Sequence, residues 1–263
     1  MAKSPHPLTA FWIGTSWKMN KTRPEACAFA RHLAGSAVAT AATANLFVIP
    51  PFTAIADVAT LLRETRVRVG AQNMHWADQG PWTGEISAAM IKECGATLVE
   101  IGHSERREFF GETDEYVSLK TAAAIRHGLT ALICVGDTRA EYEAKRTGAV
   151  LRRQVAAALS RVDKAMPSEI LFAYEPVWSI GEKGTPAPPD FIDAQHAQIK
   201  TFAADMLGRS VHILYGGSVS LANAGALARQ PHVDGLLIGR SAWSAEGYIG
   251  IIEKVTADLA AQT

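Results

Sequence analysis

The run ILFAYEPVWSIGEKG, from Ile170 to Gly184, is an apolar segment that ends on a carboxylate, Glu175, followed at once by Pro176. Burying an unpaired charge is costly, so an acid at the last position of an apolar strand calls for a reason. A loop bounded by Gly181 and Gly184 follows, and the pattern suits a base that is dry during reaction and accessible before it. A second candidate, His103, begins HSERREFFGETDE directly after Gly102. Ser104 and Glu105 can cap or open a helix there, and the positive end of its dipole would disfavour a charged imidazole. A neutral ring donates a hydrogen bond to an oxygen on which charge is building. Lys18, in WIGTSWKMN, is framed by Trp17 and Met19 and would offset such charge electrostatically. Taken singly, a histidine reads as packing and a lysine as a solvated cation; together with Glu175 they read as proton-transfer chemistry.

Two late motifs supply an anchor for substrate. Tyr215-Gly216-Gly217-Ser218 and Ile238-Gly239-Arg240-Ser241 each follow an apolar run. Small residues let backbone N–H groups approach phosphate oxygens, and the loops after the last two strands of a barrel are a frequent phosphate site. Cys134 and Asp137 in ICVGD have no obvious partner for nucleophilic work, and Cys134 reads as a small core residue. The eight histidines show no metal-ligand spacing, and no nucleotide fingerprint follows a strand. The class implied is a reaction on a small phosphorylated molecule without cofactor or metal.

These residues need elements to hold them. Strands are expected at Phe11–Trp17, Leu46–Pro50, Val67–Gln72, Thr97–Gly102, Thr130–Val135, Glu169–Tyr174, Val211–Tyr215 and Gly235–Ile238. Most are too continuously apolar to have a wet face, as befits parallel strands covered on both sides. Amphipathic helical segments alternate with them, including Pro24–Ala34, Thr53–Arg63, Asp114–His127, Arg139–Val162, Asp190–Leu207 and Leu221–Arg229. The Thr185–Pro189 run reads as a stiff arm into a helix capped by Asp190. Polar or special residues (Lys18, Asn73, His103, Asp137, Glu175, Gly216–Ser218, Gly239) cluster just after strand ends. A closed (β/α)₈ barrel puts all of them on one rim, whereas an open sheet would spread them along an edge.

Bulk properties agree with one such domain over 1–263, since a barrel of this kind takes roughly 250 residues. Twenty-six basic and 26 acidic residues cancel, which gives no steering toward nucleic acid or an anionic membrane. The three cysteines are far apart and read as reduced thiols, and no run approaches a membrane span. A cytoplasmic protein is expected.

The motifs SWKMN, AQNMHWADQGPWTGEIS, IGHSERR with FFGETDE, CVGD, YEPVW, YGGSV and LIGRS, in that order from Phe11 to about Ile251, resemble the triosephosphate isomerase family. The resemblance implies a TIM barrel, usually a homodimer, in which the loop Asn73–Glu85, with Thr83 near its tip, enters the neighbour's site. It implies that Glu175 is the catalytic base, His103 the electrophile and Lys18 the electrostatic residue. Ser104 and Glu105 would support them, while Gly181, Ser218, Gly239 and Arg240 would hold phosphate. This family is itself the standard illustration of a Glu base paired with a neutral His under a closing loop, so the mechanism comes from the resemblance and not from spacing. Under it, the Pro176–Gly184 lid closes over the phosphate.

The departures bear on substrate. The family normally has Asn at Ser16, Ala-Phe at Pro81-Trp82, Ala at Ser179, Thr-Gly-Lys at Glu182-Lys183-Gly184, and a second Gly at Arg240. Ser16 is shorter than Asn and leaves volume and a hydroxyl beside the reacting end of the substrate. The pattern is similar to the erythrulose-phosphate isomerase branch, which implies conversion of L-erythrulose 1-phosphate to D-erythrulose 4-phosphate. The glycolytic reaction on dihydroxyacetone phosphate, with Ser16 tolerated, is the alternative. A sugar-phosphate sensor without turnover is a third reading, which the presence of Glu175 and His103 disfavours.

Overall fold

The computed structural model describes residues 11–167, 169–181 and 184–261. Eight parallel strands close into a barrel in sequence order: β1 Trp12–Ser16, β2 Asn45–Ile49, β3 Arg68–Ala71, β4 Leu98–Ile101, β5 Thr130–Val135, β6 Ile170–Tyr174, β7 His212–Tyr215 and β8 Gly235–Ile238. The seam is closed by β1 and β8, with Thr15 opposite Ile238, while Ser16 lies opposite Ile49 on β2. Each expected strand is present, with each end within one residue of its expected bound.

Alternation along the strands builds two apolar layers. Side chains such as Ile13, Leu46, Val48, Val99 and Ile133 point outward and pack under the helices. Trp12, Phe47, Ile49, Leu98, Leu132, Leu171 and Leu214 point inward and fill the barrel, with Cys134 among them. The inner layer is a packed core and not a pore. Its large rings need small residues opposite: a Cβ on Gly14 would lie 2.0 Å from the Phe47 ring. Tyr248, on the helix Ala245–Ala260, donates its hydroxyl proton to the carbonyl of Ile13 at 2.7 Å and ties the outer shell to β1.

Three helical expectations are corrected. Arg139–Val162 is two helices, Arg139–Glu143 and Thr147–Leu159, because Lys145 takes a left-handed φ of 55° and Thr147 turns in to bond Asp137. Asp190 does not cap the helix Pro189–Leu207; Pro188 is the N-cap and Asp190 lies in the first turn, where its charge still suits the dipole. Leu221–Arg229 shortens to Ala224–Ala228, since Asn223 Oδ1 accepts the Ser220 N–H and holds the preceding residues in a turn. Among the described residues no helix is long and apolar enough to cross a membrane, and no His, Cys, Asp and Glu cluster could hold a metal ion. All three cysteines are free.

Candidate active site

The C-terminal ends of the strands surround a cavity of about 330 Å³. Ser16, Lys18, His103, Glu105, Glu175, Gly181, Ser218, Gly239 and Arg240 all line it. The barrel therefore brings together residues that are far apart in the chain.

Glu175 follows β6 and is buried, 2% exposed. Its backbone passes so close to β5 that a Cβ on Gly136 would fall 1.8 Å from the Glu175 carbonyl oxygen, so only glycine fits there. Glu175 Oε2 accepts the backbone N–H of Ser104 at 2.9 Å, and Oε1 lies 3.0 Å from His103 Nε2. Burial pushes the Glu175 pKa up, but His103, the Ser104 N–H and Lys18 more than offset this, and the net shift is downward. The result is a carboxylate kept ionised in a dry setting.

His103 is the N-cap of the short helix Ser104–Phe109, and its Nδ1 accepts the N–H of Glu105 at 3.2 Å. Burial disfavours a charged ring, while the Glu175 and Glu100 carboxylates favour one. The hydrogen bond at Nδ1 argues the other way. That lone pair is already occupied by an amide hydrogen, so a second ring proton would have to break the bond. We assign the neutral tautomer with the proton on Nε2, donated to Glu175, because the Glu105 amide fixes Nδ1 as an acceptor.

Lys18 adopts a left-handed φ of 53°, uncommon for a residue with a side chain. Gln72 Nε2 holds its carbonyl at 2.8 Å, and Glu105 Oε1 holds Nζ at 2.6 Å. The backbone turn aims the ammonium into the cavity, and Glu105 keeps it there. Glu105 thus positions two groups, Lys18 by its side chain and His103 by its amide.

Behind His103 lies a buried ion network. Glu112 Oε1 accepts the N–H of Gly102 at 3.0 Å, and Glu112 Oε2 pairs with Arg106 at 2.6 Å and Lys120 at 3.1 Å. Lys120 in turn donates to Asn73 Oδ1 at 2.8 Å, joining the turn after β4 to the loop after β3. Thr83, near that loop's tip, is exposed and outside the cavity.

Asp137, to which sequence reading gave no partner, accepts from Thr147 at 2.7 Å, Tyr174 at 3.0 Å and Trp178 at 3.4 Å. It fixes the start of the loop after β6, where Ser179 also meets the Tyr215 hydroxyl at 3.2 Å. Gly181 has φ 85°, which favours glycine. Glu182 and Lys183, two of the three residues at the expected lid tip, lie outside the described residues.

Sequence reading missed Glu100. It lies inside β4, points into the barrel and is 2% exposed. Its Oε2 accepts the Ser16 hydroxyl proton at 2.8 Å, so the hydroxyl left at that position is held by a carboxylate. The signal was present in the run TLVEIG: an acid within an apolar strand.

The profile described as Triosephosphate isomerase matches residues 11–255. The chain is 56% identical over 248 residues to a protein of Mesorhizobium japonicum named L-erythrulose-1-phosphate isomerase, covering 94% of this chain and 98% of that one. Proteins of the same name from Brucella abortus and Rhizobium etli are 55% and 58% identical, each over 94% of this chain and over 97% and 92% of their own. The profile spans every strand and cavity residue described above, the relatives cover 94% of the chain, and the chain belongs to the triosephosphate isomerase family.

Proposed function

We propose that the protein isomerises L-erythrulose 1-phosphate to D-erythrulose 4-phosphate by a proton shift through an enediolate, with Glu175, His103 and Lys18 as its catalytic residues. The observation that carries the chemistry is the arrangement of Glu175, the Nε2–H of His103 and the Lys18 ammonium around one cavity. The observation that carries the substrate is the 53–58% identity to relatives bearing that name.

In the substrate, C2 is a carbonyl and C3 bears a hydroxyl and a hydrogen. Glu175 removes the C3 proton, the C–H electron pair forms the C2–C3 double bond, and the carbonyl π pair moves onto the C2 oxygen. His103 Nε2–H, released from Glu175 as substrate enters, donates to the oxygens, and Lys18 offsets their charge. The C3 hydroxyl proton passes to the C2 oxygen through His103, Glu175 returns the carbon proton to C2, and the C3 oxygen becomes the carbonyl. The phosphate would rest on the backbone of Gly181, Ser218, Gly239 and Arg240, and the Pro176–Gly184 lid would exclude water. We further propose a cytoplasmic homodimer in which the loop Asn73–Glu85 completes the neighbour's site through Thr83.

The test is a direct assay of the purified protein on L-erythrulose 1-phosphate and on glyceraldehyde 3-phosphate. The expected result is a higher kcat/KM on the four-carbon substrate, with solvent deuterium entering the carbon that receives the proton. A higher kcat/KM on glyceraldehyde 3-phosphate would overturn the substrate, and ligand binding without turnover would overturn the enzyme reading.

A further inference from the structure

Glu100 has no place in the proton-transfer scheme above, yet it lines the same cavity. The inward positions of the strands around it are apolar: Phe47, Ile49, Leu98, Leu132 and Leu171. An acid in that layer loses its hydration and should have a compensating partner. No cation forms an ion pair with it among the described residues. Its Oε2 is satisfied by Ser16, but Oε1 is buried with no hydrogen-bond partner.

The Ser16–Glu100 bond also has an unusual path. Ser16 ends β1, Glu100 belongs to β4, and two strands lie between them. The bond therefore crosses the barrel interior and forms part of the cavity floor. The phosphate loops occupy the rim after β7 and β8, so a substrate anchored there extends its non-phosphorylated end toward this floor. Besides its oxygen, the reacting terminal carbon of a three-carbon substrate carries only hydrogen. A four-carbon ketose phosphate carries a hydroxymethyl group at the equivalent carbon.

We propose that Glu100, backed by Ser16, is a specificity-determining residue whose Oε1 receives the terminal hydroxyl of a four-carbon ketose phosphate. The proposal rests on the substrate reading given above and names the group that reads the fourth carbon. Burial raises the Glu100 pKa, with Glu175 adding to the shift and His103, Ser16 and Lys18 opposing it. An alcohol both donates and accepts, so it matches Oε1 whether or not that oxygen carries a proton. A site built to bond a hydroxyl rejects the analogue that lacks it much more strongly than a merely roomy pocket does.

The experiment compares kcat/KM for L-erythrulose 1-phosphate and glyceraldehyde 3-phosphate in the wild type, Glu100→Gln and Glu100→Leu. The expected result is that the ratio of the two values falls by at least about 100-fold in Glu100→Leu and by roughly tenfold or less in Glu100→Gln, which keeps polar atoms in place. A second measurement needs no variant: the wild type should use the 4-deoxy analogue of L-erythrulose 1-phosphate at least about 100-fold less well than the parent. A wild type that prefers the four-carbon substrate but accepts the 4-deoxy analogue equally well would overturn the role of Glu100 alone. So would a parallel loss on both substrates in Glu100→Leu, the mark of a bracing role. A wild type that prefers glyceraldehyde 3-phosphate would overturn the substrate reading and this proposal with it.

Discussion

At the scale of single residues, the chemistry turns on where one proton sits between His103 and Glu175. The carboxylate at 3.0 Å favours an imidazolium, while the Glu105 amide pointing at Nδ1 requires a neutral ring. In the proposed mechanism a neutral ring is the better electrophile, because it leaves Glu175 unprotonated and free to act as base. Nitrogen NMR of labelled His103 near neutral pH should show one protonated ring nitrogen, Nε2, and one unprotonated, Nδ1; two protonated nitrogens would refute the assignment. Glu175→Gln removes the main influence that raises the His103 pKa and leaves burial, which lowers it. The His103 pKa should then fall, and kcat should drop by about 10²–10⁴-fold with the loss of the base. Glu175, His103 and Lys18, the proposed catalytic residues, stand out in the sequence because each sits just past a strand end, where a polar residue breaks an apolar run. Glu100 does not, because an averaged view of TLVEIG as an apolar strand hides one acid, and its partner Ser16 is 84 residues away.

At the scale of elements, the turn after β4 carries His103 and owes its shape to Glu112. That carboxylate is nearly inaccessible and serves the Gly102 amide, Arg106 and Lys120 together. Burial raises its pKa, but Lys120 and Arg106 more than offset this, so the folded value lies below the ordinary 4.5. A group with a depressed folded pKa adds stability above its unfolded pKa, and that contribution is lost as pH falls through the folded value. Glu112→Gln leaves Lys120 buried with only the neutral Asn73 and the new amide, and should cost about 3–5 kcal/mol near neutral pH. Denaturant unfolding should show that difference roughly constant above pH 4.5 and shrinking in more acid solution; a pH-independent difference would exclude an ionic cause. The eight strands were legible because burial on both faces makes them predominantly apolar. The helix break at Lys145 was not, because it depends on Thr147 reaching Asp137, a tertiary bond that local periodicity does not encode.

At the scale of the whole molecule, one chain leaves an apolar surface near its rim. Trp82 is 46% exposed and Phe109 and Phe110 are 67% and 69% exposed, although each lies on an element that carries or adjoins site residues. The loop bearing Trp82 is already ordered within its own chain. His75 stacks against Trp76 at 4.0 Å between centroids and lies 4.3 Å from Trp82, and Trp76 stacks on Tyr116 at 4.9 Å. Lys120 anchors the base of that loop through Asn73 and, through Glu112, the turn that carries His103. A partner seated on the loop would therefore bear on the same network that orients His103. A preorganised aromatic tip loses little entropy on docking, which suits it to be an interface anchor. If it anchors the proposed dimer, Trp82→Ala should weaken association by about 2 kcal/mol or more, roughly 30-fold in Kd. Sedimentation velocity over a dilution series would read that shift, and kcat should fall in step with the dimer fraction, because Thr83 is withdrawn from the neighbour's site. A wild type that is monomeric with full kcat would sink the dimer and leave Thr83 as an ordinary surface residue.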